Sequence, residues 1–117
     1  MSRDRLIAEA YKKIALVKEN YTAPKKTIFN LPGSSAMPAM IEILETLFES
    51  NKIKDHGLTV GKKLGFMLSG GNTDIKNDLS EQNILDLERE VFLELIQIPL
   101  TQNRIKYTLD TGKPLFN

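Results

Sequence analysis

Apolar residues recur at intervals of three and four along most of the chain, which is the spacing of one face of an α-helix. Near the N-terminus this face comprises Leu6, Ala10, Ile14, Val17 and Tyr21. Pro24 and the pair Pro32-Gly33 then interrupt the spacing, because proline has no backbone N–H and ends a helix. We therefore predict a first helix within residues 1–23, a linker-like extended arm over 24–33 and a helical core over 34–117.

The core segment is predicted to contain four further helices. Each follows a residue whose side-chain oxygen can accept a hydrogen bond from a free N–H group at a helix start: Ser34 or Ser35, Asp55, Ser80 and Thr101. Gly70-Gly71 and Gly112 are expected to end the third and fifth helices in the left-handed conformation. No strand signal is present beyond the region of Ile28. The fold class is therefore all-α: about five helices in a small irregular bundle with a proline-bracketed extended arm, forming a single module over 1–117.

The predicted core lies at the centres of the strongest apolar stripes. We expect these side chains to be mostly buried: Leu44, Leu47, Phe48, Leu64, Leu68, Leu87, Val91, Phe92 and Leu95.

The composition of the chain indicates which partners and which cellular compartment to expect. Sixteen basic and fifteen acidic residues leave a net charge of +1, and both signs are interspersed, so no long-range attraction to nucleic acid or to an anionic membrane is expected. The apolar runs are far shorter than the roughly 20 residues that cross a bilayer. The chain has no cysteine, which excludes disulfides and thiolate chemistry and fits a reducing compartment. The expected location is the cytoplasm.

Residues with catalytic or metal-binding chemistry are few and do not form a known set. His56 follows Asp55 at a predicted helix start, and the simplest interpretation is that one of them caps the helix while the ring packs on its neighbours. The polar loop Asn72, Asp74, Asn77 and Asp78 lacks the spacing, the central glycine and the terminal glutamate of a calcium loop. The acidic run Asp86 to Glu90 fits a solvated helix face. We assign no catalytic, cofactor-binding or metal-binding residue.

Two groups of glycines bear on packing and on anion binding. Gly57, Gly61 and Gly65 lie one turn apart on the predicted third helix, so a second helix can approach this strip closely. Gly33-Ser34-Ser35 precedes a helix start, where free N–H groups attract anions, but it lacks the phosphate-loop pattern. Close packing is the favoured role of the first group and helix capping that of the second.

Several stretches resemble a family of bacterial fatty-acid β-oxidation enzymes, the 3-hydroxyacyl-CoA dehydrogenase/enoyl-CoA hydratase type with the dehydrogenase domains first and a crotonase-like domain after them. The resemblance extends in order from Arg3 to Asn117. Its motifs are Leu31-Pro32-Gly33, Leu68-Ser69-Gly70-Gly71-Asn72, Leu85-Asp86-Leu87-Glu88-Arg89-Glu90-Val91-Phe92-Leu93 and Thr111-Gly112-Lys113-Pro114-Leu115. Phe116 departs from the family, which has a basic residue at that position.

The resemblance implies that this chain is the C-terminal segment of a larger enzyme that hydrates an enoyl-CoA and oxidises the 3-hydroxyacyl-CoA product with NAD. The family's dinucleotide-binding turn, dehydrogenase residues and crotonase carboxylates have no matching positions here. NAD and acyl-CoA are therefore expected as cofactor and substrate of the larger enzyme and not of this segment.

Two functional hypotheses follow from these patterns. The first is a helical module that supports the fold or the assembly of the β-oxidation enzyme, is inactive alone, and has the crotonase-like domain as its partner. The second is a free-standing helical adaptor whose apolar stripes bind a partner helix. If the chain is such a module, we expect the isolated chain to form a homodimer or to expose an apolar patch, with Ile28, Phe29 and the glycine strip as the candidate surface. The alternative is a compact monomer in which every apolar stripe faces inward.

Overall fold

Five helices and one pair of very short strands make up residues 2–117, the part of the chain that the computed structural model describes. The elements are α1 (Arg3–Val17), β1 (Ile28–Phe29), a 3-10 turn (Gly33–Ala36), α2 (Met37–Glu49), α3 (Asp55–Leu68), β2 (Leu79–Ser80), α4 (Glu81–Ile96) and α5 (Pro99–Thr111). The predicted all-α fold with five helices is confirmed.

Helix α1 begins after Ser2, whose hydroxyl oxygen accepts a hydrogen bond from the backbone N–H of Arg5. It ends at Val17, earlier than the prediction, and none of its residues is buried. Residues 21–27 follow without helix or strand, and the extended conformation that Pro24 imposes on Ala23 contributes to this. Met1 lies outside the described residues.

The extended arm ends in a small antiparallel sheet. Ile28 pairs with Ser80 and Phe29 with Leu79. The Asn30 side chain extends the contact by donating to Asp78 Oδ1 at 2.9 Å and to the Asn77 carbonyl at 3.2 Å. The expectation of no strand beyond the Ile28 region was therefore wrong, because a two-residue strand is too short to show alternation.

Three of the predicted helix starts differ in detail. Ser34 and Ser35 lie within the 3-10 turn, and the Ser35 hydroxyl donates to the Pro32 carbonyl at 2.7 Å and does not cap α2. Lys54 and not Asp55 precedes α3, without a side-chain cap. Helix α5 begins at Pro99, two residues before Thr101, because proline at a first helical position leaves no N–H to be satisfied.

The other helix-end predictions are confirmed. Ser80 and Asn83 form a reciprocal capping box at the start of α4, with Ser80 Oγ accepting from the Asn83 N–H at 3.2 Å and Asn83 Oδ1 accepting from the Ser80 N–H at 2.9 Å. Gly70, Gly71 and Gly112 all have positive φ at helix ends.

The helices pack in sequence, α2 on α3, α3 on α4 and α4 on α5. The radius of gyration is 20.8 Å, against about 13 Å for a compact domain of this length. Val91 and Leu95 are the apolar side chains that are almost fully covered among residues 2–117. The predicted core is therefore only partly correct: Leu44, Leu47, Phe48 and Leu87 are half-buried, and Leu64, Leu68 and Phe92 are exposed.

Within residues 2–117, every helix is too short or too polar to cross a bilayer.

Candidate functional site

Two glycines of the α3 strip, Gly61 and Gly65, lie where α2 packs on α3. A Cβ atom added at Gly61 would lie 2.6 Å from Leu44 Cδ2, and one added at Gly65 would lie 3.2 Å from Met40 Sδ. A side chain at Gly61 would therefore displace the end of the Leu44 side chain, and one at Gly65 would press on Met40, so the two glycines let these α2 side chains pack directly on the α3 backbone.

Close packing is therefore observed at Gly61 and Gly65, with a helix of the same chain as the partner, whereas Gly57 faces Ile53 and Arg104. The expectation that the strip forms an exposed apolar patch was wrong, because α2 covers Gly61 and Gly65.

Beside this contact, α2 and α3 leave an apolar groove of about 320 Å³. Its lining is free of charged residues and comprises Met40, Ile43, Leu44, Gly61, Leu64, Gly65 and Leu68. Leu68 is 63% exposed and Ile43 is 62% exposed. An open surface with this lining is suited to an apolar helix face and offers no group that could perform chemistry.

A second exposed apolar surface is the stripe of α1. Its members Leu6, Ile14 and Val17 are exposed, as is Tyr21 just beyond the helix. The helix is amphipathic, yet none of its residues is buried. The arm residue Ile28 is also exposed, while Phe29 is half-buried.

His56 is the main buried titratable group. Its side chain is 2% exposed, and its Nε2 atom lies 2.9 Å from Thr101 Oγ1 on α5. Burial, and secondly the nearby positive charge of Arg104, lower the pKa of His56 below its ordinary value. The hydrogen bond between the imidazole and the hydroxyl ties α3 to α5.

Arg104 holds the C-terminal residues against α5. Its Nε atom donates to Asn117 Oδ1 at 2.6 Å and its Nη2 atom donates to the Asn117 carbonyl at 3.0 Å. The Asn117 amide in turn donates to the Leu100 carbonyl at 3.0 Å. Arg104, Phe116 and Asn117 line one side of a depression of about 440 Å³ beside the start of α3.

The Gly33-Ser34-Ser35 turn, considered above as an anion site, makes its contacts within the protein. The Gly33 N–H donates to the Ser69 carbonyl at 2.7 Å, so it is not available to an anion. A Cβ atom at Gly33 would lie 1.9 Å from the Thr73 carbonyl oxygen. The turn is thus a close backbone crossing that joins the arm to the end of α3.

The carboxylates singled out in the sequence lie apart from one another on the surface. Asp74 accepts a hydrogen bond from the Lys76 N–H at 2.9 Å, and Asp78 is bonded to Asn30. Asp86 lies 3.9 Å from Arg89 on an exposed face of α4. Across residues 2–117, no group of three metal-ligating side chains converges.

Two contacts could not have been found by sequence reasoning, the one between His56 and Thr101 and the one between Arg104 and Asn117. The first joins residues 45 positions apart, and the second depends on the tail folding back over α5. A lone histidine in a helical pattern signals burial but does not identify its partner.

Comparison with known proteins found sequence similarity to one class of enzyme. The whole chain is similar, at 30% identity over 118 residues, to a probable 3-hydroxyacyl-CoA dehydrogenase of Bacillus subtilis (strain 168). The chain spans about 15% of the length of that curated relative. The similarity supports a relation to the 3-hydroxyacyl-CoA dehydrogenase family. No protein-family model and no solved structure matches the chain.

The described residues do not fit the NAD that such a dehydrogenase implies. A dinucleotide needs a glycine-rich turn that leaves a buried strand and opens a helix, so that the pyrophosphate meets the helix N-terminus. Gly70-Gly71 instead follows the C-terminal end of α3, where the helix dipole is negative. The strands of the β1–β2 sheet have two residues each.

Proposed function

We propose that this chain is the C-terminal helical module of a fatty-acid β-oxidation enzyme that combines 3-hydroxyacyl-CoA dehydrogenase and enoyl-CoA hydratase activities. The module supports the fold or the assembly of the enzyme and has no activity alone. The observation that carries the proposal is the similarity of the entire chain to a probable 3-hydroxyacyl-CoA dehydrogenase.

The surface of the module supports a role in assembly. The groove between α2 and α3 is apolar and open, and Leu85 and Phe92 of α4 are exposed apolar side chains. Soluble monomers rarely expose apolar patches beyond a few hundred Å². Within the proposed enzyme, the crotonase-like domain is the partner that covers part of this surface. NAD and acyl-CoA bind elsewhere in the larger enzyme.

A deletion and a graft in the Bacillus subtilis relative test this proposal. One variant lacks the residues that match this chain, and a second carries this chain in their place. We expect the deletion to reduce the yield of soluble enzyme or its oxidation of 3-hydroxybutyryl-CoA with NAD, and the graft to restore it. A deletion variant with unchanged yield, melting temperature and activity would contradict the proposal.

Turnover by the chain alone provides the complementary measurement. Crotonyl-CoA hydration, and 3-hydroxybutyryl-CoA oxidation with NAD, should equal the buffer reaction. Activity that remains with the chain through successive purification steps would show a catalytic centre and overturn the proposed role.

The exposed stripe of α1 favours the second candidate, a free-standing helical adaptor. The coding sequence upstream of this chain separates the two candidates. A continuous reading frame that encodes a strand followed by a G-x-G-x-x-G turn and a helix supports the enzyme module. A stop codon and a separate ribosome-binding site directly before Met1 support the adaptor.

A further inference from the structure

We draw no further inference here: the strongest candidate, the open apolar groove between α2 and α3, carries no proposal because nothing in the structure shows what covers it.

Discussion

His56 is a residue whose charge state is coupled to folding. In the folded chain it is buried beside Thr101, and burial and Arg104 lower its pKa. In the unfolded chain the pKa returns to about 6.5. As the pH falls below this value, the unfolded state binds a proton that the folded state disfavours. Above the unfolded pKa, His56 is uncharged in both states and does not reduce the free energy of unfolding. As the pH falls through that value toward the folded pKa, protonation of the unfolded state lowers the free energy of unfolding.

We therefore expect the wild-type melting temperature to fall between pH 7.5 and pH 5.5 more steeply than that of His56→Gln. Glutamine retains a polar group near Thr101 and cannot become charged. Thermal melts of both chains at several pH values measure the difference. Identical pH slopes would show that the imidazole does not remain neutral in the folded chain.

Neighbouring leucines of α4 differ in how much they contribute to stability. Leu95 is 8% exposed and Leu93 is 52% exposed. Leu95→Ala should reduce the free energy of unfolding by about 2–5 kcal/mol, because it removes buried methyl groups and leaves a cavity. Leu93→Ala, the control on the same helix, should change it by less than about 1 kcal/mol. Urea denaturation compares them, and equal losses would mean that the core lies elsewhere.

The identity of the buried residues could be predicted only in part at this scale. Val91 and Leu95 occupy the centre of the apolar stripe of α4, and periodicity identified them. Leu64 and Leu68 lie at the centre of an equally strong stripe and are exposed, because the elements within residues 2–117 leave that side of α3 open. Periodicity identifies a face that needs a partner but not whether the partner belongs to the same chain.

At the scale of elements, Gly33 joins the arm to the end of α3. Its φ is +62°, and its missing Cβ leaves room for the Thr73 backbone. Gly112 has a similar φ of +68° but no atom within 4 Å of an added Cβ. The two glycines thus share a backbone conformation and differ in crowding.

Gly33→Ala and Gly112→Ala form a matched pair. Gly112→Ala should cost about 1–2 kcal/mol, the strain of a left-handed alanine. Gly33→Ala should cost several kcal/mol more or prevent the arm from docking, because the displaced atoms belong to backbone. Chemical denaturation, combined with hydrogen exchange of the Phe29 amide, measures both effects. Similar costs for the two variants would show that the Thr73 backbone moves easily.

Helices could be predicted where the sequence shows apolar periodicity, a capping residue or a terminal glycine, and elements without such residues could not. Periodicity and glycine ends identified five helices, and the Ser80 cap was identified by residue type. The starts of α2 and α5 differ from the prediction because Pro38 and Pro99 occupy the first turns of these helices, where proline is favoured, and the nearby serines and threonine do not cap them. Strand β2 consists of two residues and depends on pairing with distant β1, which no local pattern indicates.

At the scale of the whole molecule, α1 and the body should be energetically separate in a dilute sample. Because α1 buries no residue, removal of residues 2–22 should leave the melting temperature of a dilute chain unchanged. Differential scanning fluorimetry of both chains at low and high concentration measures this. A loss of several degrees in the dilute sample would show that α1 packs on its own body.

The pairing of β1 with β2 has a consequence for the order of folding. Asn30 and Asp78, which flank the two strands, are 48 positions apart, and α2 and α3 lie between them. Closing so long a loop costs more chain entropy than bringing α2 against α3 across a short connection. We therefore expect the helical hairpin to form early in folding and the sheet to close late. Contacts made after the transition state slow unfolding more than they accelerate folding. We therefore expect the small sheet to lower the unfolding rate of the folded chain more than it raises the folding rate.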